Sequence, residues 1–456
     1  MNAYRCLRFV VLLVFVNALF VSGTAFSRER AAQNPLATLN AKEVQLRMPG
    51  RRAMTLTVQQ SEQHANGDRS VHAISSDGNW QLQATLGSAG SFGMLHGKGS
   101  DWLLGTDRDG FWVQSIPSSG VSINSCGMSG THKHTIATGS PQKDAAASAA
   151  MRTVIDVMLV YNQAMRERYP GQLLDTRFNH LIAIGNQTFA NSGLDLAMRL
   201  VGTDFYDYPN NNSNFDFRND LSQALAGNSV PSLQGLAFRR DQLGADLVIG
   251  LRPHDILTRG SCGIAFFPGN DASIGVNVVS DGVSSWSFCL DDVLTHEVGH
   301  NLGATHQLGA GGGVVDPRGS AFVQLGRFTT VMGSFGTGRD DRFRGLAMFS
   351  NPDLNCGGEP CGNRQDGDNR RVMERFMGEV AAYRTARGGR PLPPTFSRSD
   401  SDSDADGVND WEDALPFNSD EQQDTDRDGT GDRADAFPND PAEQTDTDED
   451  GIGNTR

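Results

Sequence analysis

The sequence lacks two features that would restrict its function at once. Beyond the N-terminus, no apolar run in the 456 residues is long enough to cross a bilayer, so we expect no membrane span after the N-terminal segment is removed. No excess of basic residues is present either: the formal net charge is −15, and nothing in the sequence indicates a nucleic-acid partner. The length favours two to four domains.

The acidity is confined to the C-terminal end of the chain. Residues 400–456 contain 20 acidic and 3 basic residues, a balance of −17, whereas residues 1–399 carry a balance of +2. The negative charge therefore belongs to the chemistry of one segment and not to the whole protein.

The N-terminus has the pattern of a secretory signal peptide, predicted here as residues 1–25. Arg5 and Arg8 precede an apolar run, residues 9–21, and small residues around Ala25 follow it. An uncleaved membrane anchor is the alternative, but about 13 apolar residues are short for a span. Cys6 lies before the apolar run, which argues against a lipoprotein anchor. We expect a secreted, extracellular protein.

Cysteine is scarce, and its number is informative. Removal of the signal peptide leaves five of the 6 cysteines, and an exported protein is expected to form disulfides with them. Cys356 and Cys361 enclose a short glycine-rich loop and could form a local bridge, while Cys262 could pair with Cys289. Other pairings remain open. With these pairs formed, Cys126 is left over.

Two units are predicted before residue 387. Residues 26–138 alternate apolar and polar positions between turn residues, as in segments 44–48 and 54–58, which predicts a β-rich unit. Residues 139–151 form a linker of small and polar residues that a protease could cut. Residues 152–387 alternate strands, such as 153–161, with helices, such as 173–189, and this order predicts an α/β (α+β) domain with a mixed sheet.

The most specific motif is His296-Glu297-Val298-Gly299-His300-Asn301-Leu302-Gly303-Ala304-Thr305-His306, an HExxHxxGxxH pattern. On a helix, His296 and His300 lie one turn apart and can bind one metal ion. Gly303 can end the helix in a left-handed conformation and bring His306 in as a third ligand. Glu297 is placed to take a proton from a zinc-bound water. One catalytic Zn²⁺ is therefore predicted.

This segment resembles the active-site helix of the metzincin zinc endopeptidases. The resemblance implies a twisted mixed sheet with the zinc-binding helix beside it, and a methionine turn in which Met332 is the candidate. Residues Phe349-Ser350-Asn351-Pro352 look most like the reprolysin (adamalysin-like) branch. Gln307 stands where typical reprolysins have an acid. Ser334, not tyrosine, lies two residues after Met332, which argues against astacins and serralysins.

The leftover Cys126 resembles a cysteine switch. A thiolate is a good fourth zinc ligand and would displace the catalytic water. Some metzincin propeptides use a Cys-Gly dipeptide in this way, and Cys126 is followed by Gly127. The resemblance implies that residues 26–138 are a prodomain and the protein a zymogen. A free or intermolecularly paired cysteine is the alternative.

After a linker, residues 388–399, the acidic tail (residues 400–456) contains a repeat with a step of 22 residues. Carboxylates at loop positions 1, 3, 5 and 9 with glycine at position 6 match a calcium loop, although aspartate replaces the usual glutamate at position 12. The repeat resembles thrombospondin type 3 repeats and predicts several bound Ca²⁺ ions; an acidic disordered tail is the alternative. The candidate ligands are Asp402, Asp404, Asp406, Asp410, Asp413, Asp424, Asp426, Asp428, Asp432, Asp435, Asp446, Asp448 and Asp450.

These patterns predict a secreted zinc endopeptidase that acts on proteins or peptides and is associated with the cell surface, if at all, through its calcium-binding tail. The rival is a calcium-dependent surface or adhesion protein whose peptidase-like domain only binds, but such a module would need neither Glu297 nor latency. A zinc hydrolase of non-protein amides is a third option.

Overall fold

The structure is a computed structural model. It describes residues 28–39, 42–48, 52–76, 80–97, 100–116, 152–254, 261–283, 288–309, 315–324, 328–333, 344–356, 358–388, 390, 392–393, 406–408, 413–415, 418–426, 430–448, 451 and 453–454. The predicted signal peptide, the 139–151 linker and Cys126 lie outside these residues.

The N-terminal unit is an antiparallel sheet with nine strands among the described residues, in the order β1-β9-β8-β7-β6-β5-β4-β3-β2. Its strands are β1 (Glu29–Ala31), β2 (Leu36–Leu39), β3 (Glu43–Leu46), β4 (Met54–Gln63), β5 (Arg69–Ser75), β6 (Trp80–Leu86), β7 (Ser91–Gly97), β8 (Ser100–Asp107) and β9 (Gly110–Ile116). A β-rich unit is confirmed here.

Both faces of the central strands of this sheet are covered. Leu82, Leu95 and Val113 point to one face and pack with residues of the neighbouring strands in a core that belongs to the sheet itself. Alternate residues on the other face, among them Met94 and Trp112, pack with residues from the rest of the chain. Because strand side chains alternate with a period of two, one sequence serves both faces.

The second unit is an α/β domain around a mixed sheet in the order β11-β10-β12-β14-β13, with β15 paired to β14. Strands β10, β11, β12 and β14 are parallel, and the edge strand β13 is antiparallel. In chain order the elements are β10 (Thr153–Tyr161), α1 (Gln163–Arg168), α2 (Gln172–Asn191), β11 (Leu196–Phe205), α3 (Asn214–Leu225), α4 (Leu236–Leu243), β12 (Leu247–Pro253), β13 (Gly263–Ala265), β14 (Val276–Val283), β15 (Phe288–Cys289) and α5 (Val293–Asn301).

The domain is completed by β16 (Val323–Gln324), β17 (Phe328–Thr330), β18 (Arg344–Leu346), β19 (Asn351–Cys356), β20 (Glu359–Cys361) and α6 (Asn369–Val380). The predicted mixed α/β sheet is confirmed. One predicted helix, near residues 232–242, is interrupted: a 3₁₀ turn at Pro231–Leu233 precedes α4, and Gly235 between them has a φ of 84° that does not fit a helix.

Helix α2 lies in the centre of the molecule. Most of its 20 residues are buried, because the sheet of the α/β domain and α5 cover one side and the N-terminal sheet covers the other. A helix that is buried on all sides is a core element and not a surface helix.

A buried charge cluster joins α2 to the residues before α5. The guanidinium of Arg177 bonds Asp281 on β14 at 2.8 Å and donates to both oxygens of Asp291 at 3.0 and 2.5 Å. Burial opposes ionisation of the two carboxyls, but the charge of Arg177 outweighs it and holds the pKa of Asp281 and of Asp291 below the usual 3.8. The cluster therefore carries its charges inside the protein.

The tail has a structural repeat as well as a sequence repeat. Ala414 N donates to Gln422 O at 3.1 Å, and 22 residues later Ala436 N donates to Gln444 O at 3.2 Å. Asp413 caps its turn through Leu415 N, as its counterpart Asp435 does through Phe437 N, both within 2.8 Å. The described parts of the tail thus fold as successive copies of one turn unit.

No helix among the described residues combines the length and the hydropathy needed to cross a bilayer.

Replacement of Arg177 by methionine should destabilise the protein strongly. The change leaves Asp281 and Asp291 buried near each other without their cation, which costs about 3–5 kcal/mol of the free energy of unfolding. Chemical denaturation of the variant measures the loss. Arg239→Met is the matched control: it removes a partly exposed ion pair with Asp204 and should cost less than about 1 kcal/mol. Equal losses would contradict the central role of the cluster.

Candidate metal centre

Helix α5 carries the first two histidines of the motif and ends where the motif predicts. Leu294 and Val298 are fully buried and fix which face of the helix points to the core. At the C-terminus, Gly303 has a φ of 88°, and Ala304 N donates to Gly299 O at 2.9 Å. This is the Schellman arrangement, in which a left-handed glycine turns the chain away from the helix axis.

The turn at Gly303 brings the three imidazoles together. The Nε2 atom of His306 lies 3.0 Å from Nε2 of His296 and 3.2 Å from Nε2 of His300. His300 and His306 are buried and His296 is partly exposed, so the group opens towards solvent on one side. Three nitrogens at these separations face a common point.

The opposite ring nitrogens fix the protonation state of the histidines. His296 Nδ1 donates to Val331 O at 2.9 Å, and His300 Nδ1 donates to Ala304 O at 2.8 Å. Both Nε2 atoms therefore carry lone pairs. Burial lowers the pKa of His296 to about 4 and that of His306 to about 3, and it lowers that of His300 further. All three rings are neutral at pH 7.

Three neutral nitrogens that share one point fit a metal cation. Two Nε2 lone pairs repel each other unless something electropositive lies between them, and a zinc ion accepts three histidines and keeps a fourth position open. The donor set and its opening towards solvent match this requirement.

The third histidine is fixed through its backbone. Thr305, the residue before His306, pairs with the 319–321 segment: Thr305 N donates to Gly319 O at 3.1 Å, and Ala321 N donates to Thr305 O at 2.9 Å. The buried Asn369 at the start of α6 donates to Thr305 O at 3.2 Å and to Gly319 O at 2.7 Å. Helix α6 thus contributes to the geometry of the site although no motif indicated it.

Met332 lies beneath the histidine helix. It is fully buried, and a Cβ placed on Gly299 would come within 2.7 Å of its sulfur and 2.6 Å of the Phe349 ring. Gly299 separates His296 from His300 by their own turn, so the absence of a side chain there lets the methionine and Phe349 approach the helix closely. The preceding residue, Val331, supplies the carbonyl that orients His296.

Glu297 is buried beneath the edge strand. A Cβ on Gly263, the first residue of β13, would overlap the Glu297 carboxylate and its Cγ, so only glycine permits this approach. Glu297 is fully buried, and β13 forms the edge of the sheet on the side of α5. The carboxylate of the motif is thereby confined between its own helix and the edge strand.

A disulfide and an asparagine hold the edge strand in place. Cys262, next to Gly263, is bonded to Cys289, and Cys356 is bonded to Cys361. Asn301, the last residue of α5, donates to Phe266 O at 2.9 Å and to Val276 O at 3.1 Å. The C-terminus of the zinc-motif helix is therefore tied to the segments that flank β13.

A second cluster of possible ligands exists among the described residues. The ligand atoms of His254, Cys262 and Cys289 lie within 4.8 Å of one another. Since the two sulfurs are bonded to each other, they are not thiolates and do not offer the charge that zinc binding requires. The histidine triad is the better metal site.

The tail shows buried carboxylates that the motif did not include. Glu421 and Glu443 are buried 22 residues apart, and each lies against a glycine of the following copy, Gly431 and Gly453. Among the candidates from the sequence, Asp413, Asp424 and Asp435 are also buried. Asp402, Asp404, Asp410, Asp428 and Asp450 lie outside the described residues, as do Cys126 and Ser334.

The triad should bind one zinc ion per chain. His306→Ala removes one of three neutral nitrogens and should lower the zinc content to well below one equivalent, measured by atomic emission after dialysis against a weak chelator. His254→Ala is the control, because the disulfide prevents its cluster from binding zinc, and it should retain one equivalent. Loss of zinc in the control and not in His306→Ala would place the metal elsewhere.

Comparison with known proteins agrees with this site. Residues 175–307 match the sequence model described as Metallo-peptidase family M12B Reprolysin-like. A peptidyl-Asp metalloendopeptidase of Pseudomonas aeruginosa is 30% identical over 293 residues, which cover 55% of this chain and 45% of that protein. Its namesake in Stenotrophomonas maltophilia is 26% identical over 252 residues, which cover 53% of this chain and 55% of that protein. The chain thus spans about half the length of these relatives.

Two solved structures show partial likeness. One is described as the structure of a chaperone-substrate complex, with a TM-score of 0.40, 17% identity and coverage of 64% of this chain and 44% of that one. Metalloproteinase-II from Bacteroides fragilis gives a TM-score of 0.34 at 13% identity, covering 61% of this chain and 84% of that one. The family match ends one residue after His306 and includes all three histidines, so the segment that carries them belongs to a reprolysin-like metallopeptidase domain.

Proposed function

We propose that the protein is a zinc-dependent endopeptidase. The observation that carries the proposal is the convergence of the Nε2 atoms of His296, His300 and His306 next to a glutamate that is buried under an edge strand. The reprolysin-like match and the names of the relatives support it. The three histidines would hold the ion.

In the proposed mechanism, zinc supplies a Lewis acid and lowers the pKa of a bound water to ~7. Glu297 takes the proton from that water as it attacks and returns it to the leaving amine, so that protons balance. The exposed side of β13 binds the peptide backbone as an added strand, which holds the scissile bond across the site. Gly263 leaves the Glu297 carboxylate room beneath that strand.

Glu297→Gln should retain zinc and lose hydrolysis. The amide keeps the size of the side chain but cannot accept the proton, so we expect the rate constant to fall by about 10²–10⁴-fold. Cleavage of casein and metal content are measured on the same preparation. Glu374→Gln, on the exposed surface of α6, is the control and should match the parent. Full activity of Glu297→Gln would refute the mechanism.

Gly263→Ala tests the same geometry from the opposite side. The added methyl group displaces the Glu297 side chain or the edge strand, so we expect a lower kcat with unchanged zinc content. Gly378→Ala is its matched control, because no atom lies within 4 Å of a Cβ added there. Unchanged kcat in Gly263→Ala would mean that Glu297 is not held by this contact.

For the substrate, we propose peptide bonds next to aspartate. The support is the printed name of the relatives in both bacteria, peptidyl-Asp metalloendopeptidase. Paired peptides that differ only by aspartate or asparagine decide the matter: a preference for aspartate supports the proposal, and equal cleavage rejects it without affecting the zinc chemistry.

Secretion and synthesis as a zymogen are part of the proposal. The predicted signal peptide, residues 1–25, and the two disulfides support export, since such bonds persist in oxidising compartments. Latency would come from Cys126 as a fourth zinc ligand, with activation by a cut in residues 139–151. Substitution of Cys126 by serine would then give an active uncut protein.

We propose a second function, calcium binding by the tail. Burial of carboxylates is unfavourable unless a cation compensates them, and the tail buries Asp413, Asp424, Asp435, Glu421 and Glu443 in a segment whose charge balance is −17. Such a tail could also mediate contact with a cell surface, which is the feature that favours the rival reading as an adhesion protein.

Calcium should stabilise the tail and magnesium should not. At a hundredfold excess over Kd, a ligand that binds only the folded state contributes about 2.7 kcal/mol per site to its stability. Titration calorimetry of the whole chain measures binding. The pair Asp424→Asn and Asp435→Asn should remove at least one site, whereas the exposed Asp420→Asn should remove none. No heat of binding in the parent would refute this function.

A further inference from the structure

The contact between the N-terminal sheet and helix α2 is built like a protein interior. One stripe of α2 faces the sheet, and its members are Thr176, Asn179, His180, Ala183 and Ile184. These positions recur every three to four residues, as one face of a helix requires. We call this stripe the docking face.

An aromatic side chain of the sheet enters the core of the α/β domain. Phe92 on β7 is 0% exposed and belongs to the same core as Phe178 and Leu181 of α2. Its ring meets Tyr169 edge-on at 5.4 Å, and the guanidinium of Arg177 lies 5.1 Å from its centre. Beside it, Met94 and Trp112 pack on Ile184 and Leu290.

Fully buried hydrogen bonds cross the same contact. Asp291 is held ionised, so His180 Nε2 donates to it, at 3.1 Å, and His180 Nδ1 must accept. The hydroxyl of Thr85 on β6 lies 3.3 Å from Nδ1 and donates to it, while the Ser70 hydroxyl, 2.6 Å away, donates to Thr85. The sheet thus completes a hydrogen-bond chain that ends at the charge cluster.

Further polar pairs flank this chain. Asn179 donates to Asp68 at 3.0 Å, and Gln83 donates to the Ala183 carbonyl at 3.2 Å. At the edge of the contact, a Cβ on Gly90 would meet Leu173 at 2.8 Å, so the β6–β7 turn approaches the first turn of α2 closely. Each of these groups has a specific partner across the contact.

The contact lies on α2 and near the start of α5, away from the histidines. No hydrogen bond or ion pair between the described residues 28–116 and His296, His300, His306 or Glu297 is present. Retention of this sheet is therefore compatible with an open metal centre.

We propose that residues 28–116 remain bound to the α/β domain after the linker is cut, so that the working protein is a complex of two fragments of one chain. The partner of the docking face is this sheet, recognised by the insertion of Phe92 and by the Thr85–His180 hydrogen bond. The inference rests on the proposed processing, but it concerns association and not catalysis.

The test uses the whole chain, folded before it is cut. A recognition sequence for a site-specific protease replaces part of residues 139–150, and the cut protein is passed over a sizing column at neutral pH and micromolar concentration, with native mass spectrometry of the peak. Both fragments should elute together and separate only in denaturant. Elution of the N-terminal fragment alone in native buffer overturns the proposal.

Thr85→Val examines the recognition in detail. It preserves the shape but removes the donor to His180, and a buried unsatisfied nitrogen should weaken association of the cut fragments on the order of tenfold to a hundredfold. The control is Thr57→Val at an exposed position of β4, which should have no effect. Equal affinity of both variants overturns the role of the hydrogen bond.

Phe92→Ala should weaken association by more than about a hundredfold, because it removes a buried aromatic ring from the core. If this variant does not fold, the Thr85→Val series still decides. Association is measured without substrate: an associated but inactive pair refutes the proposed peptidase activity alone, and an active α/β fragment that elutes by itself refutes this inference alone.

Discussion

Arg177 lies where three parts of the molecule meet, and the other elements depend on its charge. It is carried by α2, it neutralises Asp281 on β14 and Asp291 before α5, and its guanidinium covers the face of Phe92 from the N-terminal sheet. Three buried charges are tolerated only because they are paired with good geometry. The start of the zinc-motif helix, the sheet beside it and the N-terminal unit are thereby held in one arrangement.

The metal centre is assembled from polar groups whose own positions are fixed by the backbone. The Nδ1 atoms of His296 and His300 donate to carbonyls of the Met332 turn and of the helix end, which leaves Nε2 free to bind a cation. Asn369 and Asn301 hold the chain on either side of the site. Such second partners orient ligands before any ion arrives, which reduces the reorganisation that binding requires.

The division of labour between the N-terminal sheet and the rest of the chain also has a physical basis. Its strands present Leu82 and Leu95 to a core of their own and Phe92 to the core of the α/β domain, which alternation along a strand makes possible. A unit with its own core and a specific contact suits a lasting structural role, while the metal centre stays open on another side. The acidic tail repeats one turn and buries its carboxylates by the same rule in each copy.

Much of this protein was predictable from the sequence because its chemistry is local. The spacing of His296, His300 and His306, the left-handed Gly303, the β-rich N-terminal unit, the mixed sheet and the 22-residue repeat all follow from short-range periodicity, and the structure contains each of them. Other features depend on contacts between residues far apart in the chain. Gly263 against Glu297, Asn369 on Thr305, and the docking of the sheet on α2 through Thr85 and His180 leave no local signal, since a glycine or an asparagine reads as a turn residue until its distant neighbour is known. Sequence alone therefore determined which atoms could bind the metal, and only the tertiary structure decided what positions them, because that depends on packing across the whole fold.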